Sequence, residues 1–159
     1  MEILIISDTH TDTIEKVPDA IISKIKSADA LIHCGDITGI NILRELSLLN
    51  PRFYPVRGNM DPYMPQLLPE KRNLFFEGLK IGVIHGSGSP FGLEMRLFYI
   101  FHDEDIIIYG HTHSPFAGEI GGKFFLNPGS LSENRYTNQN SYAVLTVENR
   151  KYDAKIVYL

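Results

Sequence analysis

The chain has 159 residues, 43% of them hydrophobic, and 15 Lys and Arg against 19 Asp and Glu give it a formal charge of −4 at pH 7. This length and composition suit one domain with a real core, expected over residues 1–159. No basic block could run along a nucleic-acid backbone, so neither indiscriminate nor sequence-specific binding to nucleic acid is expected. The apolar runs are too short to cross a bilayer, and a membrane is not an expected partner.

Cysteine usage and the N-terminal residues predict the compartment. Cys34 is the single cysteine, so no intrachain disulfide can form, and a buried free thiol is expected. No charged segment leads into a signal-like apolar stretch. We therefore expect a cytoplasmic protein.

The first sixty residues alternate between strand and helix patterns. Short apolar runs at 3–6, 30–32 and 53–56 predict strands. The intervening segments have helical spacing, with apolar residues at Ile14, Val17, Ile21, Ile25 and Ala28 in the first and at Ile42, Leu43, Leu46 and Leu49 in the second. Two successive βαβ units predict parallel strands.

The remainder of the chain is richer in strands. Runs at 73–76 and 79–84 flank a hairpin turn at Glu77-Gly78, Pro90 opens an apolar helix through Phe101, and 105–109 is another buried strand. Two further hairpins pair 115–120 with 123–126 and 141–147 with 152–158. The expected fold class is an α/β two-sheet αββα sandwich, with parallel βαβ units, helices outside and a C-terminal antiparallel hairpin region.

Oxygen and imidazole donors follow five of the strand-like runs. They are Asp8, His10, Asp36, Asn59, His85, His111 and His113. Because ligands collect beyond the carboxyl ends of strands in α/β sheets, the pattern predicts one metal site. Donors of these types without thiolate suit Mn²⁺, Fe²⁺, Zn²⁺ or Ni²⁺, whereas a structural zinc site would more often use cysteines.

Local sequence supports the convergence of these donors. A glycine precedes Asp36, Asn59 and His111, which allows a sharp turn and a close approach of the backbone. The spacing in Asp8-Thr9-His10 and in His111-Thr112-His113 points both donors of each pair the same way if the segments are extended.

The order D-x-H, GD, GN, a lone His and GHxH resembles the calcineurin-like metallophosphoesterase superfamily over residues 8–113. The chain length is similar to that of its small phosphodiesterase branch. The resemblance implies two divalent ions, with Mn²⁺ expected and Ni²⁺, Fe²⁺ or Zn²⁺ as alternatives. It implies that one ion is held by Asp8, His10, Asp36 and His113 and the other by Asp36, Asn59, His85 and His111, with Asp36 as the bridge.

The charge of such a centre suits a small phosphodiester as substrate. Two divalent ions bring +4, Asp8 and Asp36 bring −2, and a bridging hydroxide leaves about +1. Such a pair lowers the pKa of a shared water and clamps phosphate oxygens during in-line attack. Asp36, Asn59 and Asp61 are the expected catalytic residues. Asp61 either orients Asn59 or a metal-bound water, or only forms a turn before Pro62.

Met60 departs from the family pattern, because many larger members have a histidine directly after the motif asparagine. A thioether cannot donate a proton, so the general acid is absent or supplied elsewhere. Aryl phosphodiesters, which have good leaving groups, are therefore the expected substrates. Since ligating histidines must be neutral, activity is expected to be greatest at neutral to alkaline pH.

Other polar residues have simpler interpretations. His33 lies within a strand and His102 at a helix end, so neither is a predicted ligand. The loop 86–92 lacks dinucleotide and Walker spacing and is expected to affect substrate access. The turn Asn127-Pro128-Gly129-Ser130 resembles a family loop near the metals but is also common for local reasons. Arg57 and Arg135 either reach a phosphate oxygen or remain solvated.

Two alternatives to an enzyme remain open at this stage. The same fold serves as a non-catalytic interaction scaffold that has lost ligands, but all seven donors are present here, which favours catalysis. A nucleotide-binding switch lacks any phosphate-binding fingerprint. The helix from Phe91 to Phe101 is more apolar than one face requires, which predicts either a well-buried helix or a surface for homo-oligomer formation.

Overall fold

The computed structural model describes residues 1–62, 67–134 and 138–159. In these ranges the strands are β1 (Glu2–Ile6), β2 (Ala30–His33), β3 (Phe53–Pro55), β4 (Lys71–Phe76), β5 (Leu79–Ile84), β6 (Ile106–Tyr109), β7 (Phe116–Ile120), β8 (Lys123–Asn127), β9 (Ser141–Glu148) and β10 (Lys151–Tyr158). The α-helices are α1 (Asp19–Ser27), α2 (Ile40–Leu49) and α3 (Leu93–Ile100). Arg135, a predicted phosphate contact, lies outside the described residues.

The strands form two five-stranded sheets, in the orders β10-β9-β1-β2-β3 and β4-β5-β6-β8-β7. β1, β2 and β3 are parallel, as the two βαβ units predict, and β5 and β6 are parallel across α3. The hairpin β9–β10 returns to the first sheet, where β9 lies antiparallel to β1. The carboxyl ends of β1, β2 and β3 therefore lie side by side.

Alternating side chains along β1 explain why the molecule has four layers. Ile3 and Ile5 belong to an apolar cluster that contains residues of both sheets, whereas Leu4 and Ile6 pack with buried residues of α1 and α2. A third cluster joins α3 to the outer face of the second sheet. The predicted αββα sandwich is confirmed.

Two helices begin later than the sequence pattern predicts. Ile14–Lys16 form only a 3₁₀ turn, and α1 begins after Pro18, whose ring removes the backbone N–H. The predicted helix opening at Pro90 was also wrong, because Gly92 has a left-handed φ of +69° that no α-helix continues through.

Helix α3 is only partly buried. Leu93 and Leu97 face the sheet. Phe98 is partly buried against the same cluster. Three other apolar side chains of the helix and one in the preceding loop are exposed: Met95, Tyr99, Ile100 and Phe91. The alternative of a well-buried helix was therefore wrong, while self-association through this surface stays a prediction. No helix among the described residues is long and apolar enough to cross a membrane.

Candidate metal centre

The seven predicted donors all follow strand ends and converge from both sheets. Asp8 and His10 follow β1, Asp36 follows β2 and Asn59 follows β3, all in the first sheet. The remaining three follow β5 and β6 of the second sheet: His85, His111 and His113. Five of the seven line a cleft of about 250 Å³.

The first group of donor atoms lies around Asp8. His113 Nε2 is 3.1 Å and His10 Nε2 is 3.8 Å from Asp8 Oδ1, and the two imidazole nitrogens are 3.3 Å apart. Asp36 Oδ2 is 3.9 Å from His10 Nε2. These four side chains are the set that the sequence resemblance implies for one ion.

The second group lies around His85. Its Nε2 is 3.4 Å from Asp36 Oδ2 and 3.1 Å from Asn59 Oδ1, and Asn59 Oδ1 is in turn 3.0 Å from His111 Nδ1. Asp36 Oδ2 thus lies between the two groups, which is where a bridging oxygen is needed. Asp8 Oδ1, 4.0 Å from His85 Nε2, also adjoins the second group.

Backbone carbonyls orient three of the imidazoles from behind. The contacts are His85 Nδ1 to Cys34 O at 2.6 Å, His113 Nδ1 to Glu133 O at 2.8 Å and His111 Nε2 to Gly88 O at 2.8 Å. A carbonyl oxygen can only accept, so in each contact the ring nitrogen carries the hydrogen and donates. When such a ring is neutral, its other nitrogen presents a lone pair towards the centre.

The centre consequently brings acceptors together without donors between them. Three lone-pair atoms are adjacent here, because Asn59 Oδ1 is 3.1 Å from His85 Nε2 and 3.0 Å from His111 Nδ1. Asp8 Oδ1 is buried, and no donor among the described residues satisfies it with hydrogen-bond geometry. Buried acceptors facing each other are costly unless a cation lies between them. Carboxylate, imidazole and amide ligands fit two divalent ions of the predicted kind.

Backbone strain is concentrated at the same residues. Positive φ angles occur at five of the seven donors, namely Asp8 (53°), His10 (45°), Asp36 (54°), His111 (68°) and His113 (55°). The Asp8-Thr9-His10 and His111-Thr112-His113 segments are therefore not extended, so the condition for a common direction of the donors in each pair is not met. Left-handed non-glycine residues cost about 1–3 kcal/mol each and cluster at functional sites, which supports a functional centre here.

Two glycines permit the close approach of the loops, as predicted. A Cβ on Gly58 would lie 2.1 Å from Asp36 Oδ1. Gly35 has a φ of +97°, and a Cβ there would lie 2.8 Å from both the Gly58 nitrogen and His85 Nδ1. Any side chain at either position would push the β2 and β3 loops apart.

The electrostatic environment favours ionised carboxylates beside the imidazoles. Burial acts to raise the pKa of Asp8, but His113 and His85 outweigh it and the pKa lies below its usual value. Burial likewise opposes the shift at Asp36, where His85 and the Met60 N–H lower the pKa. Burial would lower the pKa of His85, yet Asp36 and Asp8 raise it. The site therefore attracts positive charge.

Asp61 connects the two loops that carry Asp36 and Asn59. It is buried, and its carboxylate accepts hydrogen bonds from the backbone N–H groups of Thr38 (2.7 Å), Gly58 (2.9 Å) and Ile37 (3.2 Å). These contacts position the loops after β2 and β3. Its catalytic role stays a prediction.

Two serines beside Asp8, Ser7 and Ser132, were missed by the sequence analysis, whereas Ser130 belongs to the turn that it named. Ser7 Oγ donates to Asp8 Oδ2 at 2.5 Å, while Ser130 Oγ and Ser132 Oγ donate to the Asp8 carbonyl at 3.0 and 2.8 Å. The turn at 127–130 is thus placed beside the donors. Ser7 had one available signal, its position between a buried strand and the first ligand.

His33 and Cys34 are buried beside the centre but are not among its donors. His33 Nδ1 accepts from the Gly35 N–H at 3.2 Å, so the hydrogen lies on Nε2, which is 3.1 Å from Thr9 Oγ1. Burial lowers the pKa of His33 to about 4. Burial also raises the pKa of the Cys34 thiol. Both residues are buried, as expected for a free cysteine and for a histidine within a strand.

Comparison with known proteins agrees with this geometry. The family model described as "Calcineurin-like phosphoesterase superfamily domain" matches residues 1–150. A protein of Methanocaldococcus jannaschii named "Probable metallophosphoesterase MJ0623" is 40% identical, over 99% of this chain and 81% of its own. A second protein of that organism, "Phosphodiesterase MJ0936", is 27% identical over 96% of both chains.

Solved structures are similar in fold over nearly the whole chain. The solution structure of Thermotoga maritima protein TM1076 is 36% identical with a TM-score of 0.78 and covers 99% of both chains. The structure of Vps29 with zinc from Entamoeba histolytica has a TM-score of 0.76 and also covers 99% of both chains. Its identity is 24%, so it supports the fold alone.

Substitution of His33 should alter the pH dependence of stability. The pKa of about 4 lies below the ordinary 6.5, so between these pH values the unfolded chain binds a proton that the folded chain does not. Stability is then lost as pH falls, by about 2 kcal/mol between pH 7.5 and pH 5. In urea unfolding of metal-free protein, His33→Asn should remove this part of the loss. An unchanged difference between the two pH values would contradict it.

Substitutions at Asp36 and His10 should differ in metal binding. Asp36 Oδ2 adjoins both donor groups, whereas His10 adjoins one. Titration of metal-free protein with Mn²⁺ should show that Asp36→Asn weakens both binding steps by more than about 10-fold, while His10→Ala chiefly weakens one. Binding by Asp36→Asn equal to that of the wild type would rule out a bridging role.

Proposed function

The chain belongs to the calcineurin-like phosphoesterase superfamily, and we propose that it is a phosphodiesterase that uses two divalent metal ions. The observation that carries this proposal is the convergence of seven lone-pair donors in two adjoining groups, with the Asp8 and Asp36 carboxylates both within 4.0 Å of His10 in one group and of His85 in the other. The first ion is assigned to Asp8, His10, Asp36 and His113 and the second to Asp36, Asn59, His85 and His111. Mn²⁺ is the proposed metal.

Residues of the chain set the charge of the centre and position the ligand loops. When bound, the two ions supply a water of lowered pKa and neutralise charge on the phosphate oxygens. Asp8 and Asp36 contribute only two negative charges, so the loaded centre attracts a monoanionic diester. Asp61 keeps the Asp36 and Asn59 loops at a fixed separation through its three backbone contacts. A misplacement of the ligands by about 1 Å would lower the rate by about 10²-fold.

A non-catalytic scaffold is the weaker alternative. The exposed Phe91 and Tyr99 on and before α3 offer an apolar surface to a partner or a second copy. However, all seven donors are retained, three of the imidazoles have orienting carbonyl contacts, and a scaffold has no need of such strained backbone. Self-association through α3 and a cytoplasmic location remain predictions.

Hydrolysis of bis(p-nitrophenyl) phosphate tests the proposed function. We expect turnover with Mn²⁺ that is abolished by a chelator and restored by added metal. Asp36→Asn should lose turnover, whereas Arg44→Ala, an exposed change on α2, should retain it. Absence of metal-dependent turnover by the wild type would favour the scaffold.

Met60 should make the rate sensitive to the leaving group. It is exposed, lines the cleft, and donates its N–H to Asp36 Oδ1 at 2.7 Å, but its side chain cannot protonate a departing oxygen. In a series of aryl and alkyl diesters, kcat/KM should fall steeply as the leaving group becomes more basic. Met60→His should recover about 10²-fold or more on the poorest leaving groups, and Met60→Gln should not. A flat dependence in the wild type would contradict this reasoning.

A further inference from the structure

The loop 86–92, between His85 and α3, has a glycine-rich sequence that permits many backbone conformations. Three of its residues are glycines with left-handed φ angles, Gly86 (98°), Gly88 (76°) and Gly92 (69°). Ordering such glycines costs more conformational entropy than ordering other residues. A loop of this composition requires contacts that hold it in one conformation.

Arg96 of α3 supplies these contacts. Its Nη1 donates to the Phe91 carbonyl at 3.1 Å, and its Nη2 donates to the Ser87 carbonyl at 3.2 Å and to the Ser89 carbonyl. The planar guanidinium has several donors and no acceptor, so it can hold three carbonyls at once. Among the described residues Arg96 forms no ion pair, and its side-chain hydrogen bonds all go to this loop.

The carbonyl between two of these contacts reaches the metal centre. Gly88 lies between Ser87 and Ser89, and its oxygen accepts from His111 Nε2 at 2.8 Å. This contact places the hydrogen of His111 on Nε2. The Nδ1 atom, 3.0 Å from Asn59 Oδ1, then has the free lone pair that can bind a metal ion. His113 and His85 instead donate hydrogen bonds to carbonyls in other segments of the chain, those of Glu133 and Cys34.

We propose that Arg96 is a positioning residue that orders the loop 86–92 so that the Gly88 carbonyl holds His111 with Nδ1 directed at the second cation position. The consequence for catalysis rests on the proposed function, whereas the orientation of the imidazole does not. Loss of Arg96 frees the Gly88 carbonyl to move away, and His111 then samples both neutral forms. The loop 86–92 is joined by these hydrogen bonds to Arg96 and to His111, which is a proposed ligand of the second position.

The test compares Arg96→Ala and Arg96→Lys with Arg44→Ala, which removes an exposed arginine on α2. In metal-free protein, long-range ¹H–¹⁵N spectra of the imidazole rings should show His111 protonated on Nε2 in the wild type and in Arg44→Ala. Arg96→Ala should show a mixture of the two neutral forms, with Arg96→Lys intermediate. An unchanged His111 spectrum in Arg96→Ala would overturn the proposal.

Mn²⁺ titration provides the second measurement. Arg96→Ala should weaken one of the two binding steps by about 10- to 100-fold and leave the other unchanged. Equal weakening of both steps, or of neither, would also overturn the proposal. If the wild type binds no metal, the proposed function fails and the His111 spectrum alone decides the role of Arg96. If Arg96→Ala loses the native fold, the spectrum of Arg96→Lys decides it.

Discussion

The structure depends on one electrostatic constraint, which is that lone pairs face one another at the carboxyl ends of the strands, those of Asp8, Asp36, His85 and His113 on buried side chains. Backbone carbonyls occupy the back of His85, His111 and His113, so these rings turn their acceptor nitrogens inwards. Asp8 Oδ1 lies among them, buried and without a satisfying donor in the described ranges. A divalent cation would resolve this arrangement, because several acceptors can share it as ligands.

Packing of the two sheets provides the rigid framework that keeps these acceptors close together. Apolar strands such as β1, β2 and β6 are buried on both faces, and their packing fixes the points at which the ligand loops leave the sheets. Left-handed residues at Asp8, Asp36 and His111 are then held by surrounding structure that local preference alone would not maintain. The absence of side chains at Gly35 and Gly58 lets loops from neighbouring strands touch.

Strands, layers and donor residues could be predicted from the sequence, because burial imposes a readable periodicity and parallel strands bring their ends together. Other features depend on contacts distant in sequence. The return of β9 to pair with β1 follows from tertiary packing, and the αL backbone of His10 and His113 is imposed by their surroundings. The contacts of Asp61 with the β2 loop also have no local signal. Pro18, in contrast, was a visible helix boundary that the apolar periodicity obscured.

Anomalous diffraction from crystals grown with Mn²⁺ tests the central claim most directly. Two strong peaks are predicted, one among Asp8, His10 and His113 and one among His85, Asn59 and His111, with an Asp36 oxygen between them. His10 and His113 should each bind the first ion through Nε2, and His111 should bind the second ion through Nδ1. A single peak, or manganese bound away from these side chains, would contradict a shared two-ion centre.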